Sequence, residues 1–318
     1  AAATNRKFQA QCMQPIGGRR QWCINCHAPT TPDGDRLPTQ EPRNLDRLFS
    51  EQPSWLVAGV DCLTCHVRNG KVLTTHVSAK GQQAHPLQLA PELGTAEFCA
   101  GCHQFAFKST TFGDEFHGQL QQASLEEFLD FRRSGGAENT CLDCHMPNGD
   151  HLMPGGYSNT MLRQALDLEL TASWQQEPAG LRITVSVIAD HVGHRVPGGE
   201  HFRYLTLNTS LSDASEPLAA PGLPPVRDAS PGPDSSFLTL NSLPRIETMR
   251  RDLGLFERGL DPAKSPQADT RLRPGERRTF RYLVPVAVKD AKPPFLVSVE
   301  LKYHKMNDRD AERFGFSH

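Results

Sequence analysis

From about residue 166 onward, apolar and polar positions alternate with a period of two. Leu166-Asp167-Leu168-Glu169-Leu170-Thr171-Ala172 and Leu181-Arg182-Ile183-Thr184-Val185-Ser186-Val187 read as half-buried strands. Arg203 to Leu211, Arg278 to Val284 and Leu296 to Tyr303 carry the same signal. Five such segments separated by turn residues predict an all-β sandwich domain. Between Asp213 and Pro244 the chain is dense in Pro, Ser, Gly and Asp, which predicts a long exposed loop. Before residue 165 no period persists. Ser124 to Arg133 is the best helical stretch, with Leu125, Phe128, Leu129 and Phe131 set among Glu126, Glu127 and Asp130. Leu45 to Glu51 suits a short helix, whereas Ala28 to Arg43 and Ser78 to Gly94 read as loops. The pattern therefore predicts a mostly irregular, short-helix domain over 1–165, followed by an all-β sandwich domain over 166–305. A polar tail or contact arm over 306–318 completes the chain.

Composition narrows the function. The 318 residues carry a net charge of -2, which does not suggest a nucleic-acid partner. No run of ~18 apolar residues exists, so no transmembrane segment is expected. Nine cysteines all fall in the first 144 residues, and eight of them sit in four copies of one short motif. The copies are Cys23-Ile24-Asn25-Cys26-His27, Cys62-Leu63-Thr64-Cys65-His66, Cys99-Ala100-Gly101-Cys102-His103 and Cys141-Leu142-Asp143-Cys144-His145.

Cys-x-x-Cys-His reads as covalent attachment of a c-type haem. Two thioethers fix the porphyrin edge, and the adjacent histidine reaches the iron as proximal ligand. Disulfides alone do not explain a histidine after every second cysteine. Four-cysteine zinc sites would leave the four histidines coincidental. A thioredoxin-like redox site needs one such pair, not four. The expected cofactors are thus four covalently bound haem c groups with their iron. Cys23, Cys26, Cys62, Cys65, Cys99, Cys102, Cys141 and Cys144 would hold them, with His27, His66, His103 and His145 as proximal ligands. The four haems would provide the apolar mass that this half lacks in side chains. Because thioether attachment in bacteria takes place outside the cytoplasm, a periplasmic or extracellular location is expected, after signal-peptide removal ahead of Ala1-Ala2-Ala3.

The chain resembles the multihaem c-type cytochromes of the cytochrome c554-like kind, joined to a C-terminal β-sandwich. Gly59-Val60-Asp61 before the second motif, Val67-Arg68-Asn69-Gly70 after it, and Ala84-His85-Pro86 carry the resemblance. So do Phe98, Gln104-Phe105, Met146-Pro147, His151 and Gly155-Gly156 around the later motifs. In the strand-rich part they are Gly193-His194-Arg195-Val196-Pro197-Gly198-Gly199, Arg203, and Leu272-Arg273-Pro274-Gly275-Glu276. The family often has Pro-Thr-Gly where this chain has Pro197-Gly198-Gly199.

Function then turns on the sixth position of each iron. Nine histidines lie outside the motifs, at 76, 85, 117, 151, 191, 194, 201, 304 and 318. His85 and His151 lead as distal ligands, since both match family positions and lie in Gly/Pro-rich loops. His194 follows, in a tight loop between two strands; the bland alternative is a turn histidine bonded to backbone. His117 and His76 compete for the fourth role against a reading as solvated loop residues. His191 and His201 flank the His194 loop, His304 lies at a strand end and His318 at the terminus. Met13, Met146, Met153 and Met161 are secondary candidates. Cys12, the odd cysteine, reads as a buried thiol or an intermolecular bridge.

Three functions compete. The first is extracytoplasmic electron transfer by four closely packed, mainly bis-His haems. The second is a polymerising extracellular conduit, with identical subunits as partners in a filament in place of other redox proteins. The third is a multihaem reductase of a small nitrogen or sulfur compound, which requires one open iron with acid/base groups beside it. No catalytic constellation is visible in the sequence.

Overall fold

A computed structural model describes residues 5–12, 23–29, 45–106, 120–177, 179–200, 202–212, 227–228, 238–239, 245–252, 268–285, 294–306, 311–312 and 315. These residues fall into two compact units that interleave along the chain. The first comprises Ala1–Leu125, Thr140–Cys144 and Ala311–His318; the second comprises Glu126–Asn139 and His145–Asp310.

The first unit is built from short helices. They are α1 (Arg6–Cys12), α2 (Ile24–His27), α3 (Leu45–Glu51), α4 (Ser54–Ala58), α5 (Cys62–His66), α6 (Ala79–Ala84) and α7 (Ala96–His103). Each of these cysteine motifs is helical, so its two cysteines and its histidine, at i, i+3 and i+4, share one face. Local caps fix where these helices begin. The Asp61 carboxylate accepts from the Thr64 N–H at 3.1 Å while the Asp61 N–H donates to Thr64 Oγ1, a capping box ahead of the second motif. Thr95 Oγ1 accepts from the Phe98 N–H ahead of the third.

Two small sheets follow their motifs. β1 (Val67–Arg68) and β2 (Lys71–Thr74) form a hairpin across Asn69-Gly70, both at positive φ (51° and 70°), and β3 (Leu87–Leu89) adds parallel to β2. Asn-Gly suits this turn because it tolerates two successive left-handed residues. β4 (Gln104–Ala106) pairs antiparallel with β5 (Leu120–Ala123). The stretch 78–94, expected to be loop, instead holds α6, β3 and a single 3₁₀ turn over Pro91–Gly94. Ser78 caps α6 through its side chain, which propensity alone did not reveal. Cys12 is buried with Ile24, Ala28 and Leu56. The expected loop Ala28–Arg43 lies, beyond residue 29, outside the described residues.

Helix α8 (Ser124–Arg133) runs from the first unit into the second, and α9 (Cys141–His145) also crosses the division; α10 (Asn159–Ala165) lies in the second unit. The strands that follow are β6 (Asp167–Gln175), β7 (Gly180–Ile188), β8 (Tyr204–Ser212), β9 (Arg227–Asp228), β10 (Leu238–Thr239), β11 (Arg245–Asp252), β12 (Ala268–Asp269), β13 (Arg277–Pro285) and β14 (Leu296–His304). They form two sheets, ordered β10-β13-β7-β6 and β12-β11-β8-β14, with β9 beside β11. Leu181, Ile183, Val185 and Val187 of β7 meet Leu205, Leu207 and Leu211 of β8 in one core, with Met249 and Tyr282. Burying each such large apolar side chain contributes roughly 1.5–3 kcal/mol. All five expected strands form. The region expected to be loop over 213–244 contributes the short strands β9 and β10. The remainder of that region lies outside the described residues.

One feature differs from the sequence expectation: β6 alternates as read, yet its apolar side chains Leu168, Leu170 and Trp174 stay 40%, 40% and 43% exposed on the edge strand of their sheet. At the start of the expected tail or contact arm, Met306 is buried.

Candidate functional site

The structure reveals a recurring device that follows the motifs. After His66 the β1–β2 hairpin turns the chain back, and the His66 Nδ1–H donates to the Leu73 carbonyl at 2.9 Å. After His103 the β4–β5 pairing brings the Gln122 Oε1 to 3.3 Å from His103 Nδ1. After His145 a turn at Asn148-Gly149, again at positive φ, returns the chain so that the His145 Nδ1–H donates to the Pro154 carbonyl at 2.7 Å. An Nδ1–H held by an oxygen fixes the tautomer and leaves Nε2 as the lone-pair nitrogen, the form in which an imidazole binds metal. The His27 ring lies against the Phe8 ring, with centroids 4.3 Å apart.

His194 repeats the pattern in the second unit. Its Nδ1–H donates to the Arg195 carbonyl at 2.9 Å. Burial pushes its pKa below the ordinary histidine value, against the opposing pull of the Arg195 carbonyl and Glu127, so the ring is neutral near pH 7. The imidazoles of His145 and His194 lie with their centroids 6.2 Å apart and their planes within 10° of parallel. A metal–nitrogen bond of about 2.0–2.1 Å on each side, with a further ~1.1 Å from nitrogen to ring centre, puts two such centroids ~6.3 Å apart. The pair thus has the spacing of two rings flanking one metal ion.

The loop that presents His194 is held on three sides. Val196 exchanges both backbone hydrogen bonds with Leu272, at 2.9 and 3.0 Å, and both residues are buried in the core. The Arg195 N–H donates to Glu127 Oε2 at 3.1 Å, and the other oxygen of that carboxylate pairs with Arg271 Nη2 at 2.6 Å. Arg271 also grips Asp269 through Nε and Nη2, at 2.9 and 2.7 Å, and Arg195 Nη1 lies 3.3 Å from the same carboxylate. The Glu127–Arg271 pair is almost completely buried, so each charge depends on the other. Gly198 completes the seat. A Cβ placed there would lie 2.7 Å from His194 Cε1, so only glycine admits the ring at this distance.

The thiols of Cys99 and Cys141, the first cysteines of the third and fourth motifs, lie close enough to interact, which pushes Cys99 up and lowers Cys141 to about 7. Cys65 of the second motif is near enough to Cys99 to raise it further. Cysteines of three motifs therefore gather in the first unit.

The other histidines are placed differently. His85 and His76 are exposed in the first unit. His151 is exposed in the second, with its Nδ1–H held by the Gly149 carbonyl at 2.7 Å. His191 is exposed. His304 bonds Thr206 Oγ1 through Nε2 at 2.8 Å and stacks on Tyr204, which makes it a structural residue of β14. His117, His201 and His318 lie outside the described residues, as does Met13. Sequence reasoning missed Glu127, Arg271, Asp269, Leu73, Gln122 and Pro154. The two Asn-Gly turns, three residues after His66 and after His145, were the available signal for the returning chain.

No family model and no curated protein matches this sequence. Among solved structures, the chain is similar to a penta-haem cytochrome c552 from Thermochromatium tepidum. The match has a TM-score of 0.60 and 22% sequence identity, and it covers 92% of this chain and 78% of that one. At this identity the likeness establishes the fold alone, which the chain shares with that penta-haem cytochrome. Among the described residues, no helix is long and apolar enough to cross a membrane.

Proposed function

We propose that the chain is an electron-transfer protein carrying four covalently attached c-type haems. His27, His66, His103 and His145 serve as proximal ligands. His194 would be a second ligand of the haem held by the fourth motif. The observation that carries this reading is the pair His145 and His194, at the ring separation that one iron between them would need, each with its Nδ1–H already engaged. With both His145 and His194 as ligands, that haem would have no position left for substrate and would supply electron transfer alone. His85 and His151 remain the proposed distal ligands of two further haems, and His76 or His117 of the last. The contact between Cys99 and Cys141 supports close approach of the third and fourth porphyrins, which favours rapid hopping between them.

Bis-imidazole ligation places the potentials below those of His/Met cytochromes. Mutual repulsion of added charge spreads reduction over a broad range. The partners are redox proteins, or copies of this chain in a filament, in a periplasmic or extracellular setting. Spectroelectrochemical titration with carbon monoxide tests the relay. Broad reduction of four low-spin haems with no carbon monoxide adduct supports it. Stoichiometric binding to one reduced haem, with turnover of nitrite or hydroxylamine, would replace it with the reductase.

A further inference from the structure

Arg203 follows the His194 loop, and among the described residues its guanidinium has no acidic partner. Its Nη1 donates to the Tyr303 hydroxyl at 3.3 Å, while its buried Nε meets no hydrogen-bond partner among them. A half-buried cation served by one neutral acceptor is a costly arrangement unless an anion completes it. The Tyr303 oxygen accepts from Arg203 and retains its own proton to donate. Burial pushes the pKa of this phenol up, opposed by the nearby Arg203, so it stays protonated at neutral pH. Guanidinium and phenol together thus offer a carboxylate a fork of N–H donors and one O–H donor.

The position says which carboxylate. A Cβ on Gly199 would lie 3.3 Å from Arg203 Nη1, and a Cβ on Gly198 would lie 2.7 Å from the His194 ring. Adjacent residues, ~3.8 Å apart at Cα, therefore carry the guanidinium on one and the imidazole on the other. On the far side, a Cβ on Gly156 would overlap the Tyr303 hydroxyl, and Gly156 lies two residues past the Pro154 carbonyl that holds His145. The Arg203–Tyr303 pair sits between the two segments that fix His145 and His194. We infer that Arg203 and Tyr303 form a carboxylate clamp for a propionate of the haem held by the fourth motif. This rests on the reading of His145 and His194 as its axial pair.

The test uses the purified holoprotein, in which thioethers retain the haem whatever happens at the clamp. Resonance Raman spectra report propionate bending, and potentiometry reports the four potentials. Arg203→Gln should shift a propionate band and lower one potential, because a cation that favours the reduced haem is lost. Arg203→Lys should restore the potential but not the band, since an ammonium keeps the charge without the fork. Tyr303→Phe gives a second route should Arg203→Gln fold poorly, and should shift the same band. Unchanged bands and potentials in Arg203→Gln and Tyr303→Phe, with four haems still present, would overturn the clamp. A saturable response of the parent to added acetate, abolished in Arg203→Gln, would also overturn it, because the site would then take a free anion. Failure of the underlying reading shows separately, as a high-spin fourth haem or a low haem count in the parent.

Discussion

Replacing Gly198 by alanine tests how tightly the His194 ring is seated. The new methyl would stand 2.7 Å from Cε1, 2.9 Å from Nδ1 and 3.3 Å from the Arg195 carbonyl oxygen. Ordinary contact begins at about 3.4 Å, so the ring or its loop must yield by ~0.7 Å. The ring is tied to the Arg195 carbonyl, and the loop is tied to Leu272 and Glu127. An iron–imidazole bond of about 2.0–2.1 Å does not survive such a displacement without strain. Overpacking of this kind costs about 1–3 kcal/mol. Set against ligand binding, that is a roughly 5- to 150-fold fall in the ratio of bound to released His194. Electron paramagnetic resonance of the oxidised protein should show one haem acquiring a high-spin fraction. The three other haems should remain as in the parent. Gly94→Ala is the matched control, because a Cβ there meets nothing within 4 Å. A fully low-spin Gly198→Ala protein with the parent's urea midpoint would refute the reasoning.

Three further outcomes follow from the same region. Glu127→Ala leaves the buried Arg271 with Asp269 alone and the Arg195 N–H without its acceptor, so the urea midpoint should fall by an equivalent of about 2–4 kcal/mol. Glu127→Gln, which keeps an oxygen for that N–H, should lose less. Asp269 should impart acid sensitivity: burial raises its pKa, but the hydrogen bonds and charge of Arg271, with Arg195, outweigh burial and hold it below the usual carboxylate range. A depressed pKa stabilises the fold above about pH 4, and that contribution disappears as pH falls through the folded value, so Asp269→Asn should be less stable than the parent at pH 7 and the difference should shrink as the pH is lowered below the usual carboxylate range.

The sequence showed the chemistry more clearly than its supports. Four repeats of Cys-x-x-Cys-His are legible because the spacing is local, and β6, β7, β8, β13 and β14 are legible because their alternation survives. β11 was not, since its buried Glu247 and Thr248 are polar and Arg245 and Arg250 flank them. The buried Glu247 is matched by Arg245 at 2.6 Å, a pairing between next-but-one residues that hides a buried strand behind charge. His194 follows His85 and His151 in the sequence reading because those two match family positions in Gly/Pro-rich loops, whereas the approach of His194 to His145 depends on Leu272, which bonds Val196, and on Glu127, 68 residues from the Arg195 N–H that it holds. The Glu127–Arg271 pair itself spans 144 positions and joins a helix residue to the segment before β13. No local pattern signals such a contact.

The most direct test of the account is the intact mass of the denatured holoprotein. Thioether bonds survive denaturation, so the account predicts the 35.2 kDa polypeptide plus four haems in one dominant species. The bare polypeptide mass, or a chain carrying two haems or fewer, would contradict it.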